Sequence, residues 1–180
     1  MYSIHRSFAD NCMAVTAPVR SKGRFTIGCD IIEADKLSNR LVALLPKTLD
    51  LRAANAVRLG LRELLINAVE HGCLEVGFEL KSKIAESDDY LQFLLERQKL
   101  PEYRLRTVQV EYEIRPQRIV FRITDGGKGF DHKHRTHKAR EDDALAHLAH
   151  GRGIKMSLRI FDRVRYNTAG NSVTVLKKLA

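Results

Sequence analysis

Glu63 and Asn67 stand four residues apart in the run Glu63-Leu64-Leu65-Ile66-Asn67-Ala68-Val69-Glu70-His71-Gly72. In a helix, at about 100° per residue, their side chains are neighbours, while Leu61, Leu64, Leu65, Ala68 and Val69 form the opposite arc. A carboxylate beside an amide oxygen can accept a proton and can also ligand a hard divalent cation. Glu70 shares the polar arc, and His71 lies at its margin. An ordinary solvated helix face has the same pattern. Asn is a mediocre helix former, so its place in mid-helix favours a task for it.

Two further segments have types and spacing that suit an anionic ligand. Asp125-Gly126-Gly127-Lys128-Gly129-Phe130-Asp131 follows the alternating run Ile119 to Thr124. Its glycines let backbone approach a ligand closely and adopt positive φ, and an acid at a strand end can accept from an exocyclic amine. A plain turn would also read Asp-Gly-Gly. Gly151-Arg152-Gly153 precedes a helical pattern, where unpaired N–H groups and the helix dipole favour a phosphate. From Gly126 to Arg140 five basic residues (Lys128, Lys133, Arg135, Lys138, Arg140) face one acid, Asp131, giving net +4. Such a stretch can serve a polyphosphate. His132, His134 and His137, with His147 and His150, match no standard zinc spacing and have no Cys nearby.

The elements that must position these residues come from periodicity. Alternation predicts a strand from Arg24 to Ile32, and helices are expected from Ala34 to Leu45 and from about Leu51 to His71, with Gly72 as a C′ glycine. Another amphipathic helix is expected over about Glu86 to Gln98, where Leu91, Leu94 and Leu95 form a stripe, and Tyr90 and Phe93 read as packing residues. Strands follow at Thr107–Ile114 and Arg118–Thr124, then a helix at Gly153–Phe161 and a hairpin, Arg163–Thr168 with Asn171–Lys177. Strands interleaved with helices in this order imply an α+β fold, a two-layer sandwich with helices on one face of the sheet.

Composition bounds the class. The 180 residues suit one domain, at roughly 100–200 residues per domain. Hydrophobic residues at 44% and charged ones at 29% exclude disordered and fibrous classes. Cys12, Cys29 and Cys73 are odd in number and far apart in sequence, which points to a reducing compartment. No apolar run approaches the ~20 residues that span a bilayer, and no signal peptide is evident, so a soluble cytoplasmic protein without a membrane role is expected. The net charge of +9 allows nucleic acid, an acidic protein or a phosphate-rich ligand. The absence of aromatic residues interleaved with a basic face argues against nucleic acid.

Taken in order, E-x-x-x-N-A-x-x-H-G, D-G-G-x-G-F-D after a strand, and H-G-R-G-I opening a helix resemble the N, G1 and G2 boxes of the GHKL ATPase superfamily. The end, Asp162-Arg163-Val164-x-Tyr166 and then Gly170-Asn171-x-Val173-x-Val175-x-Lys177-Lys178, looks like that family's final hairpin. The likeness is greatest to anti-sigma-factor serine kinases and related ATPase modules of bacterial signalling, and it covers roughly Arg24 to Leu179.

The resemblance implies the Bergerat ATP-binding fold, with a mixed, mostly antiparallel sheet. It implies ATP and Mg²⁺, with Asn67 as the magnesium ligand, Glu63 as the general base and His71 beside the nucleotide. Asp125 would recognise the adenine amino group, and Gly127 and Gly129 would let the loop wrap base and ribose. Gly151, Arg152 and Gly153 would line the phosphates, and Thr174 would sit near the adenine. The implied organisation is an N-terminal extension (1–23), an ATPase domain (24–180), a helical insertion (73–104) and an ATP lid (128–150). The implied activity is phosphorylation of a regulatory protein, with a sigma factor or its antagonist as partner and a homodimer allowed. Two other functions fit the same motifs: an ATP-gated binding module without phosphotransfer, and the detached catalytic domain of a two-component histidine kinase.

Overall fold

A computed structural model of the chain describes residues 20–85, 89–130 and 152–179. Five strands form one sheet: β1 (Ser21–Ile27), β2 (Val108–Arg115), β3 (Arg118–Asp125), β4 (Arg163–Tyr166) and β5 (Ser172–Lys178), in the order β1-β2-β3-β5-β4. All four pairings are antiparallel, where a mixed, mostly antiparallel sheet was expected. The strands alternate as the sequence does. Val108, Val110 and Ile114 of β2, Ile119, Phe121 and Ile123 of β3, and Val173 and Val175 of β5 are buried on one face. Among the described residues, helices cover that face only.

Helices α1 (Ile31–Ala43) and α2 (Leu51–Asn67) supply the second layer through Leu37, Leu41, Val57, Leu61 and Leu65, all nearly inaccessible. Burying each such side chain contributes about 1.5–3 kcal/mol. Asp30 caps α1, its Oδ1 accepting from Ile32 N (2.7 Å) and Glu33 N (3.2 Å). This cap explains why β1 stops at Ile27 and does not run on to Ile32: Asp30 offers the backbone a helix start. Asp50 caps α2 in the same way, accepting from Ala53 N (2.9 Å). At its other end β1 begins at Ser21, three residues before the strand start expected at Arg24.

The segment after α2 departs from expectation. The helix does not end at a C′ glycine; it widens into a π turn, Ala68–Cys73, with Leu74 N donating to Val69 O (2.8 Å). Glu70, expected on the solvated arc, is 2% exposed and ion-paired with Lys81. The reason lies in the insertion, which folds as α3 (Phe78–Ala85) and α4 (Tyr90–Arg97) and covers this turn. The helix expected over about residues 86–98 corresponds to α4, and α3 ahead of it was not expected. Leu94 is buried, but Leu91 is 49% exposed, so the expected leucine stripe does not face inward as a whole. The last helix, α5 (Arg152–Ile160), packs on α2 and leads into β4. No helix among the described residues is long and apolar enough to cross a membrane.

Candidate functional site

A cleft opens between α2, the π turn, the end of β3 and the β4–β5 hairpin. Its walls include Leu64, Ile123, Ile154 and Val173, and polar groups enter from Asn67, His71, Asp125 and Asn171. The space inside it is ≈ 780 Å³, open solvent at the mouth included. Apolar walls with a few converging polar groups suit a flat ring bearing a donor.

Asp125 closes one end. It is the last residue of β3, and strand parity turns it to the helix face. The Gly127 N–H donates to its Oδ1 (2.9 Å), and its own N–H donates to Asn171 O (3.0 Å). Burial pushes the carboxyl up to about 6, against hydrogen bonding from the Gly127 N–H and its own backbone N–H and against the Arg106 charge, which lower it. The carboxyl group rests on the π turn: a Cβ on Gly72 would lie 2.3 Å from Asp125 Cγ. Only glycine permits that contact. The turn is tied down around it, for Arg106 Nη1 donates to Cys73 O (2.9 Å) and pairs with Glu75 (3.0 Å). His71 Nδ1 donates to Val76 O (2.5 Å), which orients the imidazole at the cleft wall.

The loop after Asp125 is seated by the final hairpin. Gly129 and Gly170 both have φ of +81°, and a Cβ on either would strike backbone of the other's segment, at Ala169 O (1.9 Å) and Phe130 O (2.1 Å). Phe130 and Tyr166 meet edge to face, with centroids 5.3 Å apart, and both line the cleft. Burial raises the Tyr166 phenol to about 12, so it stays protonated.

The other end is built by α2 and α5. A Cβ on Gly153 would lie 2.8 Å from Asn67 Nδ2 and 3.0 Å from Glu63 Oε2. Glu63 and Asn67 thus converge on the first turn of α5. Asn67 and Gly153 line the cleft, and Glu63 stands just outside it, with a side chain 31% exposed and Arg62 Nη1 at 3.8 Å.

Of the residues singled out from sequence, Asn67, His71, Asp125, Gly129 and Gly153 line the cleft, Glu63 borders it, and Gly127 braces Asp125 from behind. Thr174 does not reach it. Strand alternation puts Val173 on the cleft side and Thr174 on the opposite face, between Arg122 and Arg165. Gly151, the histidine-rich segment and most of the expected lid lie outside the described residues, and Arg152 begins α5. No cluster of three or more His, Cys, Asp or Glu suited to a metal occurs among the described residues. Sequence reasoning missed Arg106 and Asn171 as residues that position Asp125. Asn171 stands in the hairpin motif, but nothing local marks Arg106. Cys29 and Cys73, distant in sequence, are free buried thiols that meet here. The Cys29 thiol is pushed up by its hydrogen bond to Cys73 and by burial.

The family model described as Histidine kinase-like ATPase domain matches residues 39–177, which includes every wall of the cleft. No curated protein matches the chain significantly.

Proposed function

The chain belongs to the histidine kinase-like ATPase domain family, and on that premise we propose that it is a serine protein kinase of the anti-sigma-factor type. Domains of this family bind ATP, usually with Mg²⁺. In our reading the protein binds a cytoplasmic regulatory protein of the anti-anti-sigma type and phosphorylates it. The residues that line the cleft fit ATP. Asp125 offers a buried acceptor to the adenine amino group, Ile123, Val173 and Leu64 flank the ring, and the polyphosphate would run toward Gly153 and the start of α5. Asn67 would hold Mg²⁺ through its amide oxygen. The ion, when bound, neutralises charge on the phosphates.

The observation that carries the kinase reading is the convergence of Glu63 and Asn67 on Gly153, at the end of the cleft away from Asp125. A serine hydroxyl entering there would meet Glu63 as base: its oxygen bonds to the γ-phosphorus, its proton passes to the carboxylate, and ADP leaves with the bridging oxygen. Glu63→Gln keeps shape but removes the proton acceptor. With labelled ATP and a candidate anti-anti-sigma protein, phosphotransfer should fall about 10²–10⁴-fold while ATP affinity changes little. The wild-type product should be an acid-stable serine ester. Undiminished transfer in Glu63→Gln, or an acid-labile phosphohistidine product, overturns the reading.

A further inference from the structure

The face of the sheet that none of the described helices covers carries a second surface, on the side away from the cleft. Across its centre Lys22, Glu113, Val120, Leu176 and Arg163 lie side by side on the five strands. The neighbouring row runs Arg24, Glu111, Arg122, Thr174, Arg165, and at the opposite edge Arg115, Arg118 and Lys178 meet. Eight basic side chains therefore share this face with two acids. Both acids are already engaged: Glu111 with Arg24 (2.7 Å) and Arg122 (3.5 Å), and Glu113 with Arg115. Among the described residues no acid pairs with Lys22, Arg118, Arg163 or Arg165. Amid this charge sit two half-buried aliphatic side chains, Val120 and Leu176.

We propose that this face docks a protein partner through an acidic surface that presents an aliphatic side chain to Val120 and Leu176. An apolar centre within a charged rim is the anatomy of a protein interface, and the uncompensated cations set the sign of the partner. The strand aromatics Phe25, Tyr112, Phe121 and Tyr166 all stand on the helix face, so no platform remains here for stacking bases. A second copy docked face to face would set cation against cation. The chain's own residues 1–19 hold Arg6 and Asp10 as their charged side chains and offer no acidic complement. The surface is independent of the phosphotransfer reading, since it lies across the sheet from Glu63.

The test is a titration of the isotope-labelled full chain, followed by NMR, with the acidic peptide Ac-Glu-Glu-Leu-Glu-Glu-Leu-Glu-Glu-NH₂. Parallel arms use oligothymidylate and vesicles of phosphatidylcholine containing phosphatidylserine. Peptide binding should shift amides of Val120, Arg163, Arg165 and Leu176 and weaken as salt rises. The double variant Arg163→Glu/Arg165→Glu should lose about tenfold or more in affinity. Leu176→Ser, which leaves the charge alone, should lose about threefold. ATP binding by each variant should stay at the wild-type level, which reports that it is folded. Tighter binding of oligothymidylate or vesicles overturns the proposal. So do shifts confined to residues 131–150, self-association through this face, or unchanged affinity in both variants.

Discussion

The two ends of the cleft are made from different material. At the Asp125 end nearly every contact involves backbone: Gly127 N–H, Asn171 O, the Gly72 main chain and the Cys73 carbonyl held by Arg106. At the Glu63 end the groups are side chains on regular helices, with one glycine between them. Recognition of a fixed ring edge needs a rigid acceptor, which interlocked backbone supplies. Chemistry on a phosphate needs groups whose spacing is fixed, which helix periodicity supplies. The two ends should therefore fail separately when damaged.

The largest expected effect tests the brace behind the Asp125 end. Lys81→Met leaves Glu70 buried without its partner and should destabilise the protein by about 3–5 kcal/mol, read from urea unfolding. Glu70→Gln/Lys81→Met together should recover much of it. If Lys81→Met unfolds like wild type, the pair does not brace the turn.

At the Glu63 end, Gly153→Ala pushes a methyl group against Glu63 and Asn67. We expect phosphotransfer at saturating ATP to drop about 10²-fold, with a much smaller loss of ATP affinity, since Gly153 and Asn67 also face the phosphates and Mg²⁺. Equal losses in rate and affinity would show that the ends are not separate. Asp125→Asn is the mirror experiment. Affinity for ATP should weaken about tenfold, from a lost acceptor at roughly 1–3 kcal/mol, while the saturated rate stays within a few-fold. Calorimetry that finds wild-type affinity would remove Asp125 from the adenine contact.

The smallest effect is a pH dependence that belongs to one end only. The Asp125 carboxyl, near 6 when folded and about 4 when unfolded, holds its proton more tightly in the native state. Stability from this group is thus present at low pH, declines as pH rises from about 4 to about 6, and is level above that. An amino donor prefers the ionised form, so ATP affinity should fall as pH drops below about 6. Asp125→Asn should lack both slopes. The same slopes in the variant would assign them to another group.

The sheet was legible because alternation of strand residues and burial on one face are the same fact, and the hairpins and α5 fell close to where the pattern put them. Asp30 was read as strand because its neighbours Cys29 and Ile31 are apolar; only the cap geometry shows it starting α1. The π turn was not legible, since π and α turns share apolar spacing over six residues. Glu70 shows the limit most sharply. A lone acid on a helix reads as solvated until the elements that cover it are known, and α3 and α4 come later in the chain. Thr174 was carried over from a resemblance and failed on parity, which the adjacent Val173 already indicates. The basic outer face was hidden because its residues are scattered over β1, β2, β3, β4 and β5 and gather only through register.

The π turn also makes the cleft sensitive to chain length more than to composition. Six residues, Ala68–Cys73, fill a space that a tighter helix would cross with fewer. Removing Ala68, Val69 or Glu70 would let the helix close to its usual pitch ahead of His71. His71 and Gly72 would then swing by about 100° around the axis, the step of one residue. Gly72 would leave Asp125, and a side chain would take its place against the carboxyl. A substitution in this stretch alters one contact; a single-codon deletion re-aims the whole wall. Scanning one-residue deletions from Leu51 to Val76 should therefore find the sharpest loss of ATP binding inside these six positions.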